Sequence, residues 1–237
     1  DWAPDFIIDF VSKIFIENNI KTTWFATHNS EAIQRLLSQP SLFEVGLHPN
    51  FMANSTQGKN YHEVMWTLKS IFPMAKSIRT HGMFYSAELS RIFAVDYGLE
   101  FDSSIFLWRM PNIIPQEIYY DDFKLLRMPY FWSDDAEMSI KKEACFNVDV
   151  EIFRRPGLKI LDFHPIHIFL NSADMTNYSK IKQKIDIKNC SFDDARPFIN
   201  EGVGIATILK SIIKTGPING SFHTLSEVGQ YWYSRRK

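Results

Sequence analysis

The sequence predicts an α/β protein built on a mainly parallel sheet, and three observations carry that reading. Short β-rich runs alternate with stretches of helical spacing along the chain. The 237 residues are 45% apolar, enough for a sizeable core. Titratable residues recur at the C-terminal ends of the β-rich runs, the edge where parallel strands of a barrel gather their chemistry.

Element by element, Pro4 and Asp5 open a helix in which Phe6, Phe10 and Ile14 recur at four-residue spacing up to Asn18 and Asn19. A carboxylate at Asp5 fits a helix N-cap. Thr22 to Ala26 is a short strand. Ser30 caps a helix through Leu37. Phe43 to Leu47 is a strand ending at His48. Tyr61 to Phe72 is a helix stopped by Pro73. Ser77 to Thr80 is a strand running into His81-Gly82. Ser86 to Asp96 is a helix, with Gly98 as its stop. Leu99 to Ile105, Leu125 to Trp132 and Leu158 to Phe163 read as three further strands. The lysine-rich stretch from Lys180 to Lys188 reads as an exposed helix face. Ala195 to Lys214 reads as one long helix ended by Gly216-Pro217. Phe222 to Leu225 is a last strand, and Ser226 caps the terminal helix. No composition shift or flexible linker divides the chain, so residues 1–237 are expected to form one domain.

Several classes of function are excluded. Lys plus Arg is 26 and Asp plus Glu is 27, so the net charge of -1 gives no argument for nucleic acid or an anionic membrane. No apolar run reaches the roughly 18 residues of a membrane span. The sequence holds no GxGxxG, Walker loop, GxSxG elbow or HExxH. Cys145 and Cys190 make no disulfide framework and read as free thiols of a reducing compartment, here the bacterial cytoplasm. The chain starts at Asp1 without a methionine.

His28, His48, His81, Asp102, Asp134, Asp135 and His164 all fall at or just after expected strand ends. His48 follows Glu44-Val45-Gly46-Leu47, where an imidazole can face a metal while a second group orients it. His164 follows Asp162-Phe163, placed to stabilise an oxyanion or protonate a leaving amine. His167 reads as a structural or rim residue. Arg79 and His81 share one side of their strand by alternation, and such an arginine suits a catalytic carboxylate. Asp1 precedes the first turn and suits a metal. The run from Arg127 to Asp135 sets Tyr130, Phe131 and Trp132 beside two carboxylates, a mix suited to a sugar.

In this order, the motifs resemble the polysaccharide deacetylases, the NodB-homology or carbohydrate esterase family 4. The family's opening Asp-Asp motif is similar to Asp1 of DWAPD, with the catalytic base falling upstream of residue 1. Thr23-Trp24-Phe25 is similar to the family's threonine-aromatic strand. Its Glu/Gly/His motif matches Glu44, Gly46 and His48. Arg79-Thr80-His81-Gly82 resembles its Arg motif. Pro129 to Asp135 resembles its Asp/Trp region, Leu161 to His164 its Leu-x-His motif, and Phe222 to Glu227 its last strand. The sequence departs at Met52, where the family usually has a second metal-binding histidine, and at His81, where a proline is common.

The resemblance implies a distorted (β/α)7-type barrel, its first strand lying largely upstream of residue 1. It implies metal-dependent removal of an N-acetyl group from a sugar of a surface polysaccharide or its precursor. Zinc is the metal it implies, with Asp1, His48 and His81 as ligands and Asn50 or His28 as alternatives to His81. His164, Arg79 and Asp135 are the implied catalytic residues. Trp2, Phe51, Tyr130 and Trp132 are the expected sugar contacts. Two other readings stay open on the sequence alone. One is a catalytically silent carbohydrate-binding domain, the other a metal-free hydrolase of another C–N bond.

Overall fold

The computed structural model describes residues 2–140, 153, 155–187, 189–217 and 221–235. Asp1 and Cys145 lie outside the described residues. Alternation of strand and helix is observed as expected. Helix α1 (Asp5–Glu17) leads into β1 (Thr22–Ala26), α2 (Glu31–Leu37), β2 (Phe43–Leu47), α3 (Tyr61–Ile71) and β3 (Ser77–Ile78). Then come α4 (Ala87–Arg91), continued by a π-helical turn over Ile92–Asp96, and β4 (Phe101–Asp102). A hairpin of β5 (Gln116–Tyr120) and β6 (Phe123–Arg127) precedes β7 (Trp132–Ser133), α5 (Asp134–Ile140) and β8 (Leu161–Asp162). The chain ends in α6 (Pro165–Phe169), α7 (Met175–Lys184), α8 (Phe192–Ala195), α9 (Ile205–Thr215) and α10 (Leu225–Ser234).

One sheet has the order β1-β2-β3-β4-β6-β5, parallel throughout except for the β5–β6 hairpin. A parallel pair, β7 and β8, forms the second. The two are linked by a parallel bridge between Phe106 and Tyr130. Strand β2 shows why the centre is parallel. Phe43, Val45, Gly46 and Leu47 are all buried, as a strand covered on both faces requires. Gly46 has no alternative: a Cβ there would lie 2.8 Å from the Ser77 carbonyl and 3.0 Å from the Phe25 ring.

Between β8 and β1 no ladder forms among the described residues, so hydrogen bonding does not close the barrel there. A cavity of about 380 Å³ lies between them. Val11, Phe15, Trp24, Leu161, Leu209 and Ile212 give it apolar walls. Its end at the C-terminal strand tips is lined by His28, His48, Arg79, Asp162 and His164.

The opposite end of the sheet is tied by one carboxylate. Glu44 accepts from the Thr23 hydroxyl (2.8 Å), from Ser226 N (3.0 Å) and from the Ser77 and Ser226 hydroxyls. Thr23 Oγ1 in turn accepts from Leu225 N at 2.7 Å, so β1 and β2 together hold the start of α10.

Four local expectations are corrected. Asp5 is not the cap of its own helix; Pro4 occupies that position, and the Asp5 carboxylate accepts from Ala32 N at the start of α2 (3.2 Å). The single helix over 195–214 is broken, because Pro197 and the glycines 202 and 204 interrupt it between α8 and α9. Phe222 to Leu225 forms no strand, and Thr224, not Ser226, caps α10, in a capping box with Glu227. The antiparallel β5 at the sheet edge had no counterpart in the strand pattern.

Candidate active site

The site assembles from three strand tips. Arg79, directly after β3, is 6% exposed and stacked between the rings of Phe25 (4.7 Å) and Tyr130 (4.4 Å). Its Nε and Nη2 donate to the Ser103 carbonyl (3.0 Å) and hydroxyl (2.9 Å). Its Nη1 donates to Asp162 at the end of β8. Burial is the largest single influence on Asp162 and would raise its pKa, but the positive charges around it, Arg79 first and His164 next, together outweigh burial and hold the carboxyl below the usual range. Asp162 is therefore an ionised carboxylate facing the cavity.

His164 follows two residues later, at the N-terminus of α6. Asp134, wholly buried at the start of α5, accepts from His164 N (2.7 Å) and pairs with its Nδ1 (2.6 Å). Burial pulls the imidazole pKa down, yet the Asp134 charge and hydrogen bond prevail and raise it to about 9. The ring is thus protonated at neutral pH. Asp135, the carboxylate expected to act here, accepts from the Ser133 hydroxyl and Ala136 N, whereas Asp134 is the partner of His164.

His48 and His81 face each other edge-on, with ring centroids 5.6 Å apart. Burial is the main cause that lowers the pKa of each. Both imidazoles are neutral at pH 7, the form that binds a metal. Asp134, Asp135 and His164 also bring ligand atoms within 4.8 Å of one another. In that second set His164 already pairs its Nδ1 with Asp134.

The remaining expected residues fall as follows. Trp2 is half-buried and stacks on His28 at 5.4 Å, beside the site. His28 also bonds the Thr27 hydroxyl through Nδ1 (2.8 Å). Asn50 accepts from Met52 N in a local turn, its backbone fixed by Gln57. Phe51 packs among Tyr61, Phe84 and Phe93 rather than beside the catalytic groups. Tyr130 is 5% exposed and gives its ring face to Arg79. Trp132 is a clear correction as a sugar contact. It is fully buried, donates its indole N–H to Glu137 (3.2 Å) and packs on Phe163. Asp102 is also corrected as a rim group, since it is buried and bonded to Arg127. His167 is structural, bonded to Ser172 (3.1 Å).

Two candidate functional groups escaped the sequence reading. Asp162 stands among apolar strand residues, yet a charge two places before His164 shares its side of a strand, and that alternation was the available signal. Asp134 was noted only as one of a pair, because nothing local shows which of two adjacent carboxylates turns inward.

A family profile described as WbmS-like polysaccharide deacetylase matches residues 1–182. Among solved structures, WbmS of Bordetella bronchiseptica, assigned as a polysaccharide deacetylase involved in O-antigen biosynthesis, is similar with a TM-score of 0.80. The two chains are 26% identical, over 91% of this one and 87% of that one. No curated protein matches the chain.

Proposed function

The chain belongs to the WbmS-like polysaccharide deacetylases, and from that premise we propose that it removes an N-acetyl group from a sugar of a surface polysaccharide or of its precursor. The observation that carries this reading is the Asp134–His164 dyad at the cavity end shared with Arg79 and Asp162. An acid that stays charged at neutral pH and an ionised carboxylate beside it are the two groups that amide hydrolysis needs.

We assign a divalent ion to His48 and His81, with Asp1 as their third partner. The ion, zinc on the family resemblance, would polarise the acetamide carbonyl and acidify a bound water. Asp162, ionised beside Arg79, would take the proton from the attacking water, the role that the resemblance gives to an aspartate upstream of residue 1. His164, kept charged by Asp134, gives its proton to the departing sugar amine. Arg79 orients Asp162 through a guanidinium that is itself clamped by Ser103 and two rings. Acetate and an amino sugar are the products. No described helix is long and apolar enough to cross a membrane. We place the reaction in the bacterial cytoplasm, on a precursor.

Acetate release from N-acetylated oligosaccharides tests the reading. His164→Ala should lower kcat by about 10²–10⁴-fold, the usual share of a general acid. A chelator should abolish turnover, and zinc should restore it. A wild-type chain that binds these sugars and releases no acetate would instead be a binding domain. Full activity in chelator would point to metal-free C–N hydrolysis.

A further inference from the structure

We infer that Trp108 is a stacking platform for a sugar ring next to the one that is deacetylated, so that the substrate is an oligosaccharide and not a single activated sugar. The inference rests on the deacetylase reading and extends it to the substrate's length.

Trp108 lies in the loop between β4 and β5, beyond the C-terminal edge of the sheet and so on the side of His164. It is 39% exposed, although its indole N–H reaches the wholly buried Glu137 (3.4 Å). A large ring kept partly in water while its polar end is anchored does not serve the core. Glu137 sits one helical turn after Asp134 on α5, about 5 Å along the axis. The anchor of Trp108 and the partner of His164 are therefore neighbours on one short helix.

The loop is also held still. Leu107 N donates to the Tyr130 carbonyl (2.9 Å) and Arg109 N to the Phe131 carbonyl (2.8 Å). Phe106 stacks on Tyr130 at 4.7 Å, and Tyr130 stacks on Arg79. A continuous stack thus joins the loop to the site. Arg109 adopts φ +52°, a left-handed conformation costly for a residue with a side chain. Its guanidinium pairs with Glu137 and lies 5.2 Å from the Trp108 ring centre. This strained turn fixes the plane of the indole before any ligand arrives, which lowers the entropy cost of binding. The Arg109 guanidinium lies over one face of the indole, so a sugar would stack on the opposite face; a pyranose suits it, with an apolar C–H face and hydroxyls at its edge.

The test uses the full chain with N-acetylglucosamine and its β-1,4-linked tetramer as probes. Affinity is measured by calorimetry and tryptophan emission, and acetate release is measured separately. Trp108→Ala should weaken tetramer binding about tenfold or more, remove the emission change and leave the monomer unaffected. Trp108→Phe keeps a flat ring and should bind the tetramer within about threefold of wild type. Equal tetramer affinity in Trp108→Ala and wild type would overturn the inference, as would an equal loss for monomer and tetramer. Absence of tetramer binding by the wild type would also overturn it. Tetramer binding that depends on Trp108 without acetate release would uphold the platform and sink the deacetylase reading.

Discussion

Two buried arginine–aspartate pairs sit at strand tips of this sheet, and they do different things. Arg127 ends β6 and Asp102 ends β4, and the two are directly paired in register. Asp102 accepts from Arg127 Nε (3.0 Å) and Nη2 (2.9 Å), and its other oxygen accepts from Ser104 N. Ser90 and the Tyr85 ring complete the shell, and Asp102 has no exposed surface. Arg79 has the same ingredients, a serine and aromatic faces, but its partner comes from β8 and keeps 19% of its side chain exposed to the cavity. A closed pair of neighbouring strands is a brace. A pair that spans the gap in the barrel presents a charge to whatever enters it. Chemical type does not separate the two; what each carboxylate has left to face does.

The largest expected effect divides the pairs. Asp162→Asn should cost about 10²–10⁴ in kcat, or about 3–5 kcal/mol of barrier, with the fold retained by circular dichroism. Asp102→Ala should leave turnover per folded molecule unchanged and lower the free energy of urea unfolding by about 3–5 kcal/mol, because it strands the buried Arg127. If Asp102→Ala lost turnover while staying folded, the division between brace and site would fail.

The next effect is on pH. His164 is charged in the folded chain up to about pH 9, against about 6.5 when unfolded. The stability this adds is complete below about pH 6.5 and fades as pH rises through about 9. Turnover should fall along the same alkaline limb, since the acid must carry its proton. Asp134→Asn should move that limb down toward pH 6.5 in a kcat–pH profile; an unmoved limb would assign it to another group. The smallest effect concerns Trp132. Trp132→Phe should cost about 1–1.5 kcal/mol of stability through one lost hydrogen bond to Glu137. The sugar KM should stay unchanged, because the ring never meets solvent.

The sequence was most informative where periodicity is local. The helix over residues 5–17 and the strands at 22–26 and 43–47 follow from spacing alone. His48, Arg79 and His164 stand at strand tips that the alternation placed, and the cavity brings them together. What was hidden depended on partners far along the chain. Asp102 and Asp162 are alike in sequence, both ending short strands, and only tertiary pairing makes one a brace. Trp132 sits between a tyrosine and two carboxylates, yet strand alternation turned it into the core. Trp108 had no motif to mark it, since its significance lies in an anchor 29 residues away.

The tie at Glu44 has a consequence for how the chain is made. Its donors include Ser226, 182 positions later, and Lys21 meets Glu227 across 206. Gly229 lies against Phe101 so closely that a Cβ would meet the ring at 2.2 Å, so α10 seats directly on β4. The base of the sheet therefore waits for residues 182 to 206 positions further along to leave the ribosome. Contacts of such long range fold slowly, and an unfinished chain exposes β1 to β3 without their cover. A premature stop before Thr224 should thus yield a chain that is cleared or aggregated, not a shortened enzyme.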